Sequence, residues 1–289
     1  MSLSHDPLAD DATVIFLHVG KTAGATMRRA LRKEFTTSEV LELKAPTVAP
    51  GRLRRDGAID YFAGLPESER ARLRLIMGHM TFGLDAVVPR PATYVTLLRE
   101  PLKLIASQFH HVKRHEGHLL HEEAKVYPDL ASYVRSGISL EMDNSQTRAF
   151  AGDTTTPFGG CNPAMLEQAK ANLAGAFAVV GLTERFDESL VLMRKAFAWQ
   201  KLRYVSVNID PGRAQRSPLS QEDLDLVRAQ NALDLDLYEW ASARFEDTLR
   251  AWPGFRQAYA AFREDNDRYQ PWGKLTQMPR RIAERITGH

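Results

Sequence analysis

The sequence is poor in cysteine and in long apolar runs, and each shortage excludes a class of protein. Cys161 is the single cysteine among 289 residues, so no disulfide can form within the chain. No N-terminal apolar segment resembles a signal peptide or a membrane anchor. We therefore expect a soluble cytoplasmic protein with no membrane span.

The sequence also lacks a strong excess of either charge. It has 38 lysine and arginine residues against 36 aspartate and glutamate residues, which gives a formal net charge of +2. Because residues of both signs are interspersed, we expect no nucleic-acid partner. The oligomeric state leaves no signature in the sequence.

No internal repeat or low-complexity tract divides the chain. With 44% hydrophobic residues it can bury one large α/β core, although the length alone would also permit two domains. We predict a loose N-terminal tail over residues 1–12 and a single α/β domain over residues 13–289.

The most informative segment covers residues 13–31, TVIFLHVGKTAGATMRRAL. An apolar run suited to a buried strand breaks into a turn of small residues and then becomes helical. Gly24 and its small neighbours let backbone N–H groups surround a phosphate at the helix N-terminus. Lys21 adds a positive charge, and Thr22 and Thr26 add hydroxyl donors. The pattern predicts an anion site, and an ordinary strand-to-helix turn with a surface lysine stays open.

This segment is not the P-loop of a nucleoside triphosphatase. That pattern needs a glycine five positions before the Gly-Lys pair. Ile15 occupies that position here, inside the predicted strand. The turn therefore follows Lys21 instead of preceding it.

A second segment of the same kind covers residues 93–111, TYVTLLREPLKLIASQFHH. Arg99 follows an apolar strand, and Pro101 suits the first turn of a helix. Ser107 lies about two helical turns beyond Arg99, so both side chains meet one ligand only if it lies along the helix start. An arginine here can also be a structural ion-pair partner.

A third strand end carries a histidine. Residues 73–82, LRLIMGHMTF, place His79 directly after an apolar run. Open α/β sheets bind ligands outside the carboxyl ends of their strands, where a histidine can transfer a proton. A purely structural histidine is the alternative. Together Lys21, His79 and Arg99 predict a site for a doubly phosphorylated ligand and an acceptor that loses a proton.

The ordered set of motifs resembles that of the PAPS-dependent sulfotransferases, specifically the branch with heparan sulfate 2-O-sulfotransferase and bacterial carbohydrate or polyketide sulfotransferases. GKTAGAT resembles the 5′-phosphosulfate loop, LLREPLKLIAS the 3′-phosphate motif, and MGHMTF the segment that carries the catalytic base. Residues 143–152 and 169–190 follow in the family's order. The resemblance implies a P-loop-like three-layer α/β fold, with a central parallel sheet flanked by helices.

The resemblance also implies a reaction and its residues. PAPS (3′-phosphoadenosine 5′-phosphosulfate) would donate a sulfuryl group to a hydroxyl of a carbohydrate, lipid or small metabolite, leaving PAP (3′-phosphoadenosine 5′-phosphate), and no metal is required. Lys21 would contact the leaving-group oxygen, His79 would be the general base, and Arg99 with Ser107 would bind the 3′-phosphate. The 5′-phosphate would be bound by Thr22, Ala23, Gly24, Ala25 and Thr26.

Two departures from the family pattern matter. Met77 stands where the animal 2-O enzyme has a second histidine, so His79 is the sole histidine base of that motif. Those animal relatives are membrane-anchored, so the missing anchor indicates a bacterial-type enzyme. Arg213 and Arg216 are equally well explained as lid contacts to the 3′-phosphate or as a solvated basic loop.

Two other functions stay open: a P-loop-like ATP-dependent small-molecule kinase and a non-catalytic nucleotide-binding protein. A metal site is also an alternative for the histidine-rich segment around residues 110–123, although we favour a polar lid on the acceptor side. Asp143, Gln146 and Arg148 are candidates for acceptor binding or for core hydrogen bonds.

Periodicity and capping signals predict the other elements. We expect strands over residues 178–181 and 204–208, and a connection over residues 44–64. We expect helices over residues 25–34, 101–113, 163–174 with Asn162 as cap, 184–199, and 220–245 with a capping box of Ser220 and Asp223.

Overall fold

The computed structural model describes residues 12–43, 57–205 and 220–287. Within these ranges, five strands form one sheet in which every neighbouring pair is parallel. The order across the sheet is β2-β3-β1-β4-β5. The strands are β1 (Thr13–Leu17), β2 (Val40–Leu43), β3 (Leu75–Gly78), β4 (Ala92–Leu98) and β5 (Phe177–Leu182).

Helices surround this sheet, which confirms the predicted α/β class. They are α1 (Gly24–Leu31), α2 (Ala58–Ala63), α3 (Glu67–Ala71), α4 (Pro101–Arg114), α5 (His121–Lys125), α6 (Leu130–Arg135), α7 (Ser145–Ala151), α8 (Pro163–Gly175), α9 (Phe186–Phe197), α10 (Gln221–Gln230), α11 (Ala232–Arg250) and α12 (Phe255–Thr287). Short 3-10 turns cover Arg32–Glu34, Thr37–Glu39, Leu84–Val87, Leu140–Met142 and Thr183–Arg185. No helix in these ranges is both long and apolar enough to cross a bilayer.

The central strands have buried side chains on both faces. Every residue of β1 and β3 is buried, as expected for a parallel sheet covered by helices on each side. β1 lies between β3 and β4, with Leu17 opposite Gly78 and Phe16 opposite Val95. The three strands therefore deliver the residues that follow them to one edge of the sheet.

The capping signals located several helices correctly. α4 begins at Pro101, and the Glu100 carboxylate accepts hydrogen bonds from the N–H groups of Leu102 and Lys103. α8 begins after Asn162, whose side chain accepts from the Met165 N–H. The predictions for residues 25–34 and 184–199 correspond to α1 and α9, each extended by an adjoining 3-10 turn.

The prediction of one helix over residues 220–245 was wrong, although its capping box is present. The chain forms α10 and α11 instead, with a break at Asn231, where φ is −120° and ψ is 32°. The Asn231 side chain accepts from the Asn144 N–H at 2.9 Å and donates to the Met142 carbonyl at 3.1 Å. These tertiary bonds compensate for the interrupted helix.

The remaining predictions are only partly covered by the described residues. Tyr204 and Val205 do not form the predicted strand, because the Tyr204 N–H donates to the Asn266 side chain on α12. Within the predicted connection, residues 58–63 form α2. Residues 1–11, 44–56 and 206–208 lie outside the described residues, and the predicted division into a tail and one domain stays a prediction.

Candidate functional site

The predicted anion-binding residues come together at the carboxyl edge of the central strands. The Arg99 guanidinium donates a hydrogen bond from Nη1 to the Lys21 carbonyl oxygen at 2.7 Å. After β1 the chain continues to β2, at one edge of the sheet. After β4 it continues to β5, at the opposite edge. Such a reversal of direction opens the crevice in which open α/β sheets bind ligands.

The loop that carries Lys21 has an unusual backbone. Lys21 and Ala23 both adopt left-handed conformations, with φ of 64° and 59°. Thr22, between them, is buried, and its hydroxyl donates to the Val19 carbonyl at 2.8 Å. The Thr22 hydroxyl proton is therefore used inside the loop, which leaves its backbone N–H as the donor for a ligand.

The loop leads into α1 without a side-chain cap. Ala23 occupies the N-cap position, and among the described residues no side chain accepts from the first turn. The N–H groups of Thr26 and Met27 both bond to the Ala23 carbonyl. Those of Gly24 and Ala25 come before the first intrahelical bonds, and they sit at the positive end of the helix dipole. This arrangement suits an anion.

Gly24 lies against the imidazole ring of His18, which leaves no room for a side chain at position 24. A Cβ atom built on Gly24 would lie 1.8 Å from Nε2 of His18. His18 follows β1 and is only 6% exposed. The imidazole thus lies directly on the backbone where α1 begins.

His18 also contacts the candidate base. The ring centroids of His18 and His79 are 4.4 Å apart, with 36° between the planes. His79 is half-buried, and Met77, two residues earlier, is fully buried in the core. His79 is the only histidine of its own motif, but a second histidine reaches it from β1. Sequence spacing could not reveal this pair, because the two residues follow different strands.

Arg28 determines which nitrogen of His18 carries the proton. Its Nη1 lies 3.1 Å from His18 Nδ1, and its Nε lies 3.0 Å from the Glu42 carboxylate. Arginine only donates, so Nδ1 accepts and the ring proton of neutral His18 is on Nε2. Burial lowers the pKa of Arg28, and the Glu42 carboxylate acts in the opposite direction.

Two polar side chains lie close to Gly20 in this loop. A Cβ atom built on Gly20 would lie 3.8 Å from Gln108 Oε1 and 3.9 Å from Glu141 Oε2. Gln108 is buried on α4, and Glu141 is half-buried in the turn that precedes α7. An amide and a carboxylate beside the loop suit hydrogen bonding to hydroxyl groups.

The motif around residues 143–148 is part of the core. Asp143, Gln146 and Arg148 have no exposed surface. Arg148 contacts the Asp143 carboxylate at 2.5 Å and the Asp153 carboxylate at 3.0 Å. Of the two interpretations left open, the structure confirms core hydrogen bonding for these three residues.

The histidine-rich segment packs its rings together. The ring centroid of His111 lies 4.4 Å from that of His115 and 5.7 Å from that of His118. His118 Nδ1 accepts from the Leu120 N–H, and His121 Nδ1 lies 2.9 Å from the Val112 carbonyl. In the part of the chain that the structure describes, no three histidine, cysteine or acidic side chains are placed to hold a metal ion.

Three other predicted residues have no established role. Ser107 lies in the second turn of α4 and is half-buried. Arg213 and Arg216 lie outside the described residues. Their contacts to a 3′-phosphate stay predictions.

Comparison with known proteins identifies the family of this chain. The family model described as galactose-3-O-sulfotransferase matches residues 4–268. Galactose-3-O-sulfotransferase 3 of Bos taurus is 27% identical over 281 residues, covering 84% of this chain and 60% of the relative. Galactosylceramide sulfotransferase of Homo sapiens is 29% identical over 280 residues, covering 88% of this chain and 62% of the relative.

The chain thus spans about 60% of the length of these curated relatives. The family match nevertheless covers β1 to β5 and every residue of the candidate site. It confirms the resemblance to PAPS-dependent sulfotransferases. The chain belongs to the galactose-3-O-sulfotransferase family.

Proposed function

We propose that this protein is a sulfotransferase that uses PAPS to sulfate a hydroxyl group of a galactose-containing acceptor. The observation that carries the proposal is the direct bond between the two anion-binding segments, from the Arg99 guanidinium to the Lys21 carbonyl. Two cationic side chains beside an uncapped helix N-terminus suit a ligand with two separate phosphate groups.

The residues present fit PAPS. Lys21 and the N–H groups at the start of α1 would hold the 5′-phosphosulfate end, and Arg99 with Ser107 would hold the 3′-phosphate. PAPS supplies an activated sulfuryl group. Lys21 stabilises the negative charge that grows on the bridging oxygen, as cationic groups do in phosphoryl transfer. The proposal includes no metal: Lys21, Arg99 and the N–H groups at the start of α1 would bind the anionic groups.

His79 would accept the proton of the acceptor hydroxyl. It follows β3, the neighbour of the strand that leads to Lys21, and is half-buried. A neutral imidazole suits this role, because the hydroxyl need lose its proton only as the new bond forms. His18 supports the ring from the other side by direct contact.

The acceptor is inferred from the names of the relatives. They are described as acting on galactose at the 3-O position or on galactosylceramide. Gln108 and Glu141 beside Gly20 are suitable partners for sugar hydroxyl groups. Both of these relatives are animal proteins, so they give no support to the predicted bacterial-type character. That character and the cytoplasmic location stay predictions.

The first experiment is calorimetry with PAP, adenosine 5′-phosphate, and ATP with Mg²⁺, on the wild type and on Arg99→Ala. We expect PAP to bind much more tightly than adenosine 5′-phosphate, and the difference to disappear in Arg99→Ala. Tighter binding of ATP with Mg²⁺ would favour the kinase, and the absence of nucleotide binding would contradict both enzymes.

Turnover is then measured with PAPS and a galactoside acceptor. We expect His79→Ala to bind PAP like the wild type but to lose sulfation, by about a hundredfold or more. A wild type that binds PAP without sulfating any galactoside would contradict the proposed acceptor. Unchanged turnover in His79→Ala would exclude this histidine as the base.

A further inference from the structure

Gln146 makes an unusual contact with Arg99. Its side-chain amide forms two hydrogen bonds with the main chain of that one residue. The Arg99 N–H donates to Gln146 Oε1 at 2.9 Å, and Gln146 Nε2 donates to the Arg99 carbonyl at 2.9 Å. Gln146 has no exposed surface and Arg99 is half-buried, so the glutamine end of each bond is shielded from solvent.

The two bonds lie where the regular structure is interrupted. β4 ends at Leu98 and α4 begins at Pro101, so Arg99 lies between strand and helix. Buried backbone groups at such a point need partners from elsewhere. The glutamine amide supplies one acceptor and one donor, as a neighbouring strand would.

Gln146 is itself anchored by a residue that is distant in the sequence. The Asp234 carboxylate on α11 accepts from the Gln146 N–H at 3.0 Å and from the Thr147 N–H at 2.7 Å. The Asp234 N–H in turn donates to the Asn144 side chain at 3.1 Å. Asp234 is 1% exposed, so the start of α7 is held by a buried carboxylate.

We infer that Gln146 is a positioning residue that holds the main chain of Arg99 so that its guanidinium lies against the Lys21 loop and meets a ligand phosphate. The inference rests on the proposed function, in which Arg99 binds the 3′-phosphate. Gln146 touches no ligand in this assignment. It acts through Arg99, whose side chain has the correct reach only when its main chain is fixed.

A merely structural role makes a different prediction. Loss of a core amide would lower thermal stability and weaken all nucleotides by the same factor. Loss of a positioning residue would weaken only those nucleotides that carry a 3′-phosphate. The ratio of the PAP affinity to the adenosine 5′-phosphate affinity separates the two roles.

The test compares Gln146→Met and Gln146→Glu with the wild type. Methionine keeps the length of the side chain and removes both hydrogen bonds, whereas glutamate keeps the acceptor and loses the donor. Asn172→Leu is the control, because this half-buried amide donates to the Phe150 carbonyl at 2.7 Å, away from Arg99. Calorimetry with both nucleotides is done where thermal unfolding shows each variant to be folded.

We expect the affinity ratio to fall about tenfold in Gln146→Met, as the loss of two partly buried hydrogen bonds implies, and to stay at the wild-type value in Asn172→Leu. Gln146→Glu should also reduce the ratio, and it decides the question if the methionine variant does not fold. An unchanged ratio in the folded variants overturns the inference alone. A wild type that does not prefer PAP overturns the proposed function, and the inference with it.

Discussion

At the scale of single residues, the close contact between His18 and Gly24 has the sharpest consequence. A side chain at position 24 would overlap the imidazole, since the built Cβ lies 1.8 Å from Nε2. With a side chain at position 24, either the backbone of α1 or the His18 ring must move. We expect Gly24→Ala to lower the free energy of unfolding by about 1–3 kcal/mol, the usual cost of overpacking, and to weaken PAP binding. Urea denaturation and calorimetry measure the two effects.

Two further variants identify the cause. Gly117→Ala is the matched control, because a Cβ there meets no atom within 4 Å. His18→Ala in the Gly24→Ala background removes the overlapping ring and should restore part of the lost stability, a coupling that a double-mutant cycle quantifies. Equal destabilisation in both glycine variants would contradict the explanation.

Cys161 gives a second prediction at this scale. Burial raises the pKa of its thiol to about 12, and the Asp143 carboxylate, 3.8 Å from Sγ, acts in the same direction. The reactive species is the thiolate, so the folded protein should react slowly with iodoacetamide at pH 8. In urea the thiol regains its ordinary acidity, and the rate should rise at least tenfold. Equal rates in the two states would show that the thiol is not protected.

Sequence reasoning found some site residues and missed others for a physical reason. Lys21, His79 and Arg99 each follow an apolar strand, and parallel strands deliver such residues to one edge. His18 was missed and Gln146 was only a candidate for acceptor binding or core hydrogen bonds, because the contacts of His18 with His79 and of Gln146 with Arg99 join distant parts of the chain. Nothing in their local sequence indicates those contacts.

At the scale of elements, the segment after β3 is held by one hydroxyl group. Tyr94 on β4 donates to the Asp85 carboxylate at 2.7 Å and accepts from the N–H groups of Asp85 and Gly83 at 3.0 and 3.3 Å. Its ring packs on Phe82 and Phe177 at 5.2 and 4.9 Å between centroids. Phenylalanine at position 94 would keep these ring contacts.

We therefore expect Tyr94→Phe to lower the free energy of unfolding by about 1–3 kcal/mol, the cost of buried polar groups that lose their partner. Hydrogen exchange of the residue 83 and 85 amides should accelerate more than exchange in β1. Tyr61→Phe is the control, since Tyr61 is 58% exposed. If residues 83 and 85 keep their protection in Tyr94→Phe, the hydroxyl does not anchor the segment.

Element boundaries followed from the sequence where the signal is local. Pro101 marks the start of α4, and Asn162 marks the start of α8 through a side chain that caps the first turn. The break at Asn231 depends on Met142 and Asn144, which belong to a distant part of the chain. Local periodicity continues through residue 231, so it predicted one helix.

At the scale of the whole molecule, burial of tyrosines couples stability to alkaline pH. Burial is the main cause that raises the pKa of Tyr94, Tyr133, Tyr204 and Tyr238, and it raises that of Tyr133 to about 12. The unfolded chain ionises its tyrosines near pH 10. The folded state therefore binds these protons more tightly. The contribution of these tyrosines to the free energy of unfolding is fully present below pH 10 and is lost as the pH rises.

We expect the free energy of unfolding to fall steadily between about pH 10 and 12. Tyrosinate absorbance at 295 nm should rise for these residues only as the far-UV circular dichroism is lost. Urea denaturation at several pH values measures the first effect, and spectrophotometric titration measures the second. Full ionisation of the tyrosines with an intact circular dichroism spectrum would contradict this coupling.

The general architecture was predictable, and its details were not. Apolar runs that end in charged turns indicated strands with a ligand site at their carboxyl ends, and the family resemblance implied the central parallel sheet that the structure confirms. The strand order depends on which helices cross which face, and no local pattern records that choice. The galactose-3-O branch emerged only from comparison over most of the chain.

The hydrogen bond from Arg99 to the Lys21 carbonyl has a final consequence for ligand choice. In the proposed function, this bond joins two phosphate-binding segments into one unit with a fixed spacing, as in a bidentate chelating agent. A nucleotide whose two phosphates have the matching separation would contact both segments. Its binding costs the translational entropy of one molecule only. Two separate phosphate ions would each lose translational entropy. We therefore expect monophosphates to bind less favourably than a nucleotide with two phosphate groups.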